Sequence, residues 1–248
     1  MKLPALPDGF DATRDEMHRI AVHVVARARR QATGRFGLRV TSGGFGTPTF
    51  GDDVERVRTS RGLLVHEAAP AGSARTRSTA IDGASLAQLA HFVGVDLDAE
   101  LDVGHDTPPM GDLDRPVSID VAAVRALSGW YTVIGSALDA VAAVRPDSTP
   151  TAIQLWPEHF DLALDAAFDP AATDERRVNL GGSPGDGFSS EPYLYVGPWT
   201  GDRPGDDDFW NAPFGATLGY ATVMATDDPV VAAAEFFLRG HALLYETR

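Results

Sequence analysis

Between Trp156 and Pro198 the chain alternates apolar and polar residues in short runs that glycine and proline repeatedly interrupt, a pattern suited to extended strands joined by tight turns. In HFDLALD, Phe160, Leu162 and Leu164 alternate with His159, Asp161 and Asp165. In EPYLYV, Glu191, Tyr193 and Tyr195 share one face, while Pro192, Leu194 and Val196 occupy the other. The intervening GGSPGDG is dense in turn formers. Half-apolar strands of this length need paired neighbours, so the segment belongs to an antiparallel sheet.

Helical periods flank these strands. Met17, Ile20, Ala21, Val24, Val25 and Ala28 form one stripe, with Asp11 or Thr13 as the cap and Gly34 as the stop. His18 flanks that stripe and His23 falls on its polar side. Strands are expected at 36–41, 54–58, 63–66 and 75–81, with 42–53 as a long turn, and a second helix over 84–93. Residues 119–144 read as a long helix capped by Ser118 or Asp120. Strands follow at 152–156, 160–165, 177–180, 193–196 and 216–224, and a last helix begins at Pro229. The fold class is therefore α+β: antiparallel sheet with helices packed on one side, compatible with two pseudo-repeated helix–strands–helix halves. The expected organisation is an N-terminal half over 1–95, a linker rich in Asp, Gly and Pro over 96–117, and a C-terminal half over 118–248. LRVTSGGFGTP and RVNLGGSPGD offer a thin internal parallel.

Composition excludes several chemistries. Without cysteine the chain has no thiolate nucleophile, no Fe–S cluster and no sulfur-ligated zinc. Its one lysine, Lys2, leaves no residue for a pyridoxal phosphate Schiff base or for the phosphate-binding loop of nucleotide hydrolases. Residues 1–80 carry 13 Arg and Lys against 8 Asp and Glu, and residues 81–248 carry 8 against 27. A net charge of −14 disfavours nucleic acid and anionic membrane as partners. The N-terminal residues lack a secretory apolar core and no uninterrupted apolar run reaches about 20 residues, so a cytoplasmic location is expected.

The candidate chemistry gathers at 156–199. If HFDLALD is one strand, His159 and Asp161 share a face; if it neighbours EPYLYV, Glu191, Tyr193 and Tyr195 join them, with Asp186 at the rim and Trp156 and Trp199 as walls. His159, Asp161 and Glu191 could serve as acid–base groups, or hold Mn, Fe or Zn through nitrogen and oxygen. The bland reading is a solvated strand face with half-packed tyrosines. Gly181–Gly185 matches G-x-S-x-G, yet Pro184 has no N–H to supply an oxyanion hole, which leaves Ser183 a turn residue. The arginines at 27, 29, 30, 35 and 39 could hold an anion, and more simply complement a helix C-terminus.

LWPEHFDLALD, GGSPGDGFSSEPYLYV and FWNAPFGATL, together with ATGRFGLRVTSGGFGTPTFGDD, resemble a group of actinobacterial proteins of unknown function. The portion from Ala152 to about Leu238 is also similar to a broader family with a WP-x-HFD, SPGD, EPY-x-YV signature. That resemblance implies that His159, Asp161, Asp186 and Glu191 act as a unit, without naming their task. The expected function is small-molecule binding or a non-thiol, lysine-independent enzyme. The alternative is a structural or protein-interaction role, and a homo-oligomer is compatible with either.

Overall fold

In the computed structural model, which describes residues 3–101, 103, 107–168 and 176–245, two five-stranded antiparallel sheets and their helices make an α+β fold. The chain divides into two compact units: Leu6–Gly129 with Leu155–Phe160, and Met1–Ala5 with Trp130–Gln154 and Asp161–Arg248.

The first unit is organised by one continuous helix: α1 (Phe10–Ile20), a π-helical turn (Ala21–Ala26) and α2 (Arg27–Thr33). Gly9, in the left-handed conformation, precedes it, and neither Asp11 nor Thr13 caps it. The Thr13 hydroxyl instead accepts the Asp120 N–H at 3.0 Å. Gly34 ends the helix in the left-handed conformation, as its sequence predicts. The π turn is absent from the sequence expectation. Its extra residue per turn rotates the helix beyond it, and all six of its residues are buried. His23, read as polar-facing, is therefore only 7% exposed, and its Nε2 donates to the Pro108 carbonyl at 2.7 Å.

The arginines near this helix are not one solvated cluster. Arg27 is buried and donates to the Ala99 carbonyl, while Arg29 and Arg30 donate to the carbonyls of Gly37 and Gly34, both at 2.6 Å. Arg19 donates to the carbonyls of Met110 and Asp112. The described residues of 96–117 are thus strapped along the helix inside this unit. Asp102, Gly104, His105 and Asp106 of that stretch lie outside the described residues.

Strands β1 (Arg39–Thr41), β2 (Gly44–Gly46), β3 (Arg56–Ser60), β4 (Leu63–Ala68) and β5 (Arg75–Ala80) pair in sequence order. The expected long turn thus contains a strand, β2. Helix α3 (Leu86–Val93) opens on a capping box in which Ser85 and Gln88 satisfy each other's backbone N–H groups. Leu38 exchanges two backbone hydrogen bonds with Leu155, and Phe160 closes the turn after it. Phe160 does not belong to a strand: its φ of 56° is left-handed, and its buried ring stacks on His18 at 4.9 Å and meets the edge of Phe45.

The second sheet has the order β10-β9-β8-β7-β6, from β6 (Gln154–Trp156), β7 (Asp161–Ala167), β8 (Arg177–Ser183), β9 (Tyr193–Pro198) and β10 (Ala216–Gly219), and β7 to β10 lie in the second unit. Helix α4 (Val121–Val144) is capped by Asp120, which accepts the Ala123 N–H. By length and composition α4 could cross a membrane, although its sequence has no unbroken apolar run of that length. Trp130, Tyr131, Ile134, Ala137 and Leu138 on it are buried, as in a core helix. The expected strand over 216–224 breaks at Gly219 into α5 (Tyr220–Met224), where periodicity cannot separate a short apolar strand from a helical turn. Helix α6 (Pro229–Tyr245) starts at its proline, with Asp228 accepting the Val230 N–H, and its buried His241 donates to the Ala167 carbonyl.

Gly182 faces α4. A methyl group there would lie 2.7 Å from Ile134 Cδ1, so the missing side chain is what lets helix and sheet close. The two glycine pairs that suggested a duplication are not equivalent. Gly43 turns the chain between β1 and β2, whereas Gly181 and Gly182 lie inside β8.

Gly182→Ala should cost roughly 1–3 kcal/mol of stability through overpacking. Gly187→Ala, into open space, should stay within about 0.5 kcal/mol; denaturant midpoints compare the two. Burial lowers the His18 pKa from 6.5 to about 4, against a smaller opposing effect of the Pro157 carbonyl. Between those values the unfolded chain takes up a proton that the folded chain does not, so stability is lost as pH falls through the window. Chemical denaturation at several pH values should show a loss on the order of 2–3 kcal/mol beyond that of His18→Phe, which cannot titrate.

Candidate functional site

Alternation along β7, β8 and β9 gives the second sheet two unlike faces. Leu162, Gly182 and Leu194 turn toward α4, where Ile134 meets Gly182 and Leu162 lies 3.5 Å from the position a Gly135 side chain would take. The opposite face carries Asp161 and Ala163 on β7, Gly181 and Ser183 on β8, and Tyr193 and Tyr195 on β9. Gly181 stands between Ala163 and Tyr195 in the paired strands, and a side chain there would collide with the Tyr195 hydroxyl at 2.7 Å. The phenol crosses β8 over this glycine and donates to Asp161 Oδ2.

A second phenol–carboxylate pair lies beside the first. Tyr193 donates to Asp186 Oδ2 at 2.7 Å, and Ser183 Oγ donates to the same oxygen at 3.0 Å. Asp186 Oδ1 accepts the backbone N–H groups of Phe188 at 2.8 Å and Ser189 at 3.3 Å, which folds the SPGD turn back onto β9. Gly185 N–H donates to Ser183 Oγ, completing the hydroxyl's pairing. Trp130 Nε1 donates to the Ser183 carbonyl at 2.9 Å, so α4 pins the end of β8 from which the turn springs.

Electrostatics make both phenols donors. Burial, then the hydrogen bond to Asp186, holds Tyr193 well above the usual phenol range. Burial, then the charge of Asp161, does the same to Tyr195. Each keeps its proton and directs it at a carboxylate. Further along this face Asp165 pairs with Arg177, and Asn179 accepts the indole N–H of Trp199 at 3.0 Å.

Along this face lie rings that the fold leaves in contact with solvent. Phe188 is 50% exposed, Phe214 38% and Trp199 56%. Phe188 meets Phe214 at 5.0 Å and 72°, and Tyr193 at 5.4 Å and 61°. Trp210 is held apart from these contacts, edge-on to Phe209 with its N–H on the Pro204 carbonyl.

The residues singled out from sequence are distributed unevenly. Asp161, Asp186, Tyr193 and Tyr195 form the two hydrogen-bonded pairs, and Trp199 lies further along the same face. Glu191 is exposed just before β9. His159 and Trp156 are exposed and belong to the other compact unit. The left-handed Phe160 breaks the two-residue repeat, so β7 begins at Asp161 and His159 lies in the preceding turn rather than on the strand. Among the described residues no three His, Asp or Glu side chains gather closely enough to hold a metal ion. The metal set of His159, Asp161 and Glu191 is therefore not assembled here. Ser183 is the buried last residue of β8, not a turn residue, and among the described residues no imidazole is bonded to it.

Sequence reading missed Phe188, because a single ring in a glycine-rich loop carries no period. It also missed a cleft of about 460 Å³ in the first unit, whose lining includes Ser85, Gln88, His91 and Asp114. The S-x-x-Q capping box was its one sequence signal. Compared with known proteins, the chain matches no family, no curated protein and no solved structure.

Tyr195→Phe removes the hydroxyl that Asp161 accepts while keeping the ring. It should destabilise the protein by about 1–3 kcal/mol in denaturant unfolding, with less than half that loss when the carboxylate has already been removed in Asp161→Asn.

Proposed function

We propose that the second unit binds a small organic molecule on the outward face of its sheet, at the junction of β8, β9 and the 183–189 turn. The observation that carries this reading is the junction of a locked polar floor with two exposed rings, Phe188 and Phe214, while a third exposed ring, Trp199, stands further along the same face. A merely solvated strand face would not need two phenols committed to carboxylates, nor leave large rings at its border. Such a combination of apolar walls with a few oriented polar groups is what small-molecule sites use. The three signature segments support the same place. The aspartate of HFD, the Ser and Asp of SPGD and both tyrosines of EPYLYV meet at this face.

Binding is the better-supported activity. The Ser183 hydroxyl is engaged with Asp186 and the Gly185 N–H, with no imidazole on it among the described residues, and the phenols hold their protons, so the groups orient a ligand more readily than they attack one. Fragment screening of the full chain by crystal soaking, with 1H–15N spectra following the Trp199 indole, tests the proposal. Fragments should contact Phe188, Phe214 or Trp199, and Phe188→Ala should abolish their binding while leaving the melting temperature within about 2 °C. Fragments that settle elsewhere would sink it. If the three rings instead become protected at rising protein concentration with no ligand added, the face is a contact between copies, the second reading that their exposure favours.

A further inference from the structure

Resting on that binding reading, we infer that the molecule taken by this face is an organic cation, an amine or methylated ammonium seated against Phe188 and Phe214 with Asp186 at its foot. The inference comes from the bonding capacity each group has left to offer.

Asp186 is exposed and accepts four hydrogen bonds, from Ser183 Oγ, Tyr193 OH and the N–H groups of Phe188 and Ser189. All four donors are neutral. They orient the carboxylate and leave its charge uncancelled, and Asp186 forms no ion pair among the described residues. Further along the face Asp165 differs, because there Arg177 neutralises it. An anion would find the hydroxyls of Tyr193, Tyr195 and Ser183 already committed, since their protons point at Asp186 and Asp161. A small divalent metal would need several more oxygen ligands than this turn provides.

The rings point to the same occupant. Phe188 and Phe214 meet at 72°, so their faces form two walls of a corner. The backbone N–H of Phe188 is itself bonded to Asp186 Oδ1, which fixes one wall to the carboxylate. An ammonium group in such a corner gains from the negative face of each ring and from the nearby charge, and its carbon substituents cover apolar surface. A neutral molecule of equal shape would gain the last contribution alone.

Isothermal titration of the full chain with choline, putrescine and phenethylamine, beside 3,3-dimethylbutan-1-ol as the uncharged shape of choline, tests this. At least one ammonium compound should bind, and the alcohol should bind about tenfold more weakly than choline wherever choline binds. Affinity for the bound ammonium should fall about tenfold in Phe188→Ala and in Asp186→Asn. Thermal melting confirms that each variant is folded, and Phe214→Ala serves in place of Asp186→Asn if the latter is not. If no ammonium binds, or if both variants bind as the wild type does, the cation assignment is overturned. The binding reading is judged separately by the uncharged fragments: their presence on the face without any ammonium affinity would remove the cation and keep the site.

Discussion

Two absent side chains govern the second unit. At Gly182 the backbone of β8 comes close enough to α4 that Ile134 would meet any substituent at under 3 Å, and at Gly181 the opposite face is open enough for the Tyr195 phenol to pass over the strand. One dipeptide thereby sets both contacts of the central strand. The helix side closes to core density, with Trp130 reaching the Ser183 carbonyl near the same place. The other side acquires a half-buried phenol whose hydroxyl ends on a carboxylate two strands away. With larger residues here, helix and sheet would separate and Tyr195 would stand off the sheet, leaving Asp161 without that donor.

Phenols suit this role because they supply area and a single donor together. A carboxylate moved out of water needs hydrogen bonds to replace its hydration, and a hydroxyl on a rigid ring offers one at small entropic cost. The reciprocal effect raises the phenol pKa, so the proton stays where the carboxylate needs it. The outcome is a floor that is polar in composition and already paired internally. Such a floor holds its shape, and an approaching solute is selected by the charge remaining at Asp186 and by the rings at the border.

Most elements of the fold were legible as periods. The long α4 stripe, the strands of the second sheet and the Gly34 stop all follow from residue spacing. Periodicity could not supply the departures from it. The π turn leaves the 3.6-residue pattern, so His23 changed from an exposed face to a buried one. The left-handed Phe160 leaves the two-residue pattern, so His159 parted from the strand that begins at Asp161. Neither departure has a local marker, because long-range packing holds it: Phe160 through His18 and Phe45, and His23 through Pro108. At the site, the alternation in EPYLYV placed Tyr193 and Tyr195 on one face, and their pairing with aspartates required the register of three strands.

The border residues follow another logic. Phe188 and Phe214 come from loops, where substitution alters the rim without disturbing the sheet, whereas Asp161, Ser183 and the tyrosines are tied to strands. A site divided this way can change which shapes it admits while its electrostatic sign stays fixed by the floor. The larger field agrees with the local one. The residues of this unit carry 17 acidic against 7 basic side chains, so the same sign of charge acts on a solute at long range and at contact. At physiological salt the distant part fades within about 8 Å of the surface. Discrimination therefore falls to the short-range pair of ring and carboxylate, which the backbone of the 186–188 turn holds together.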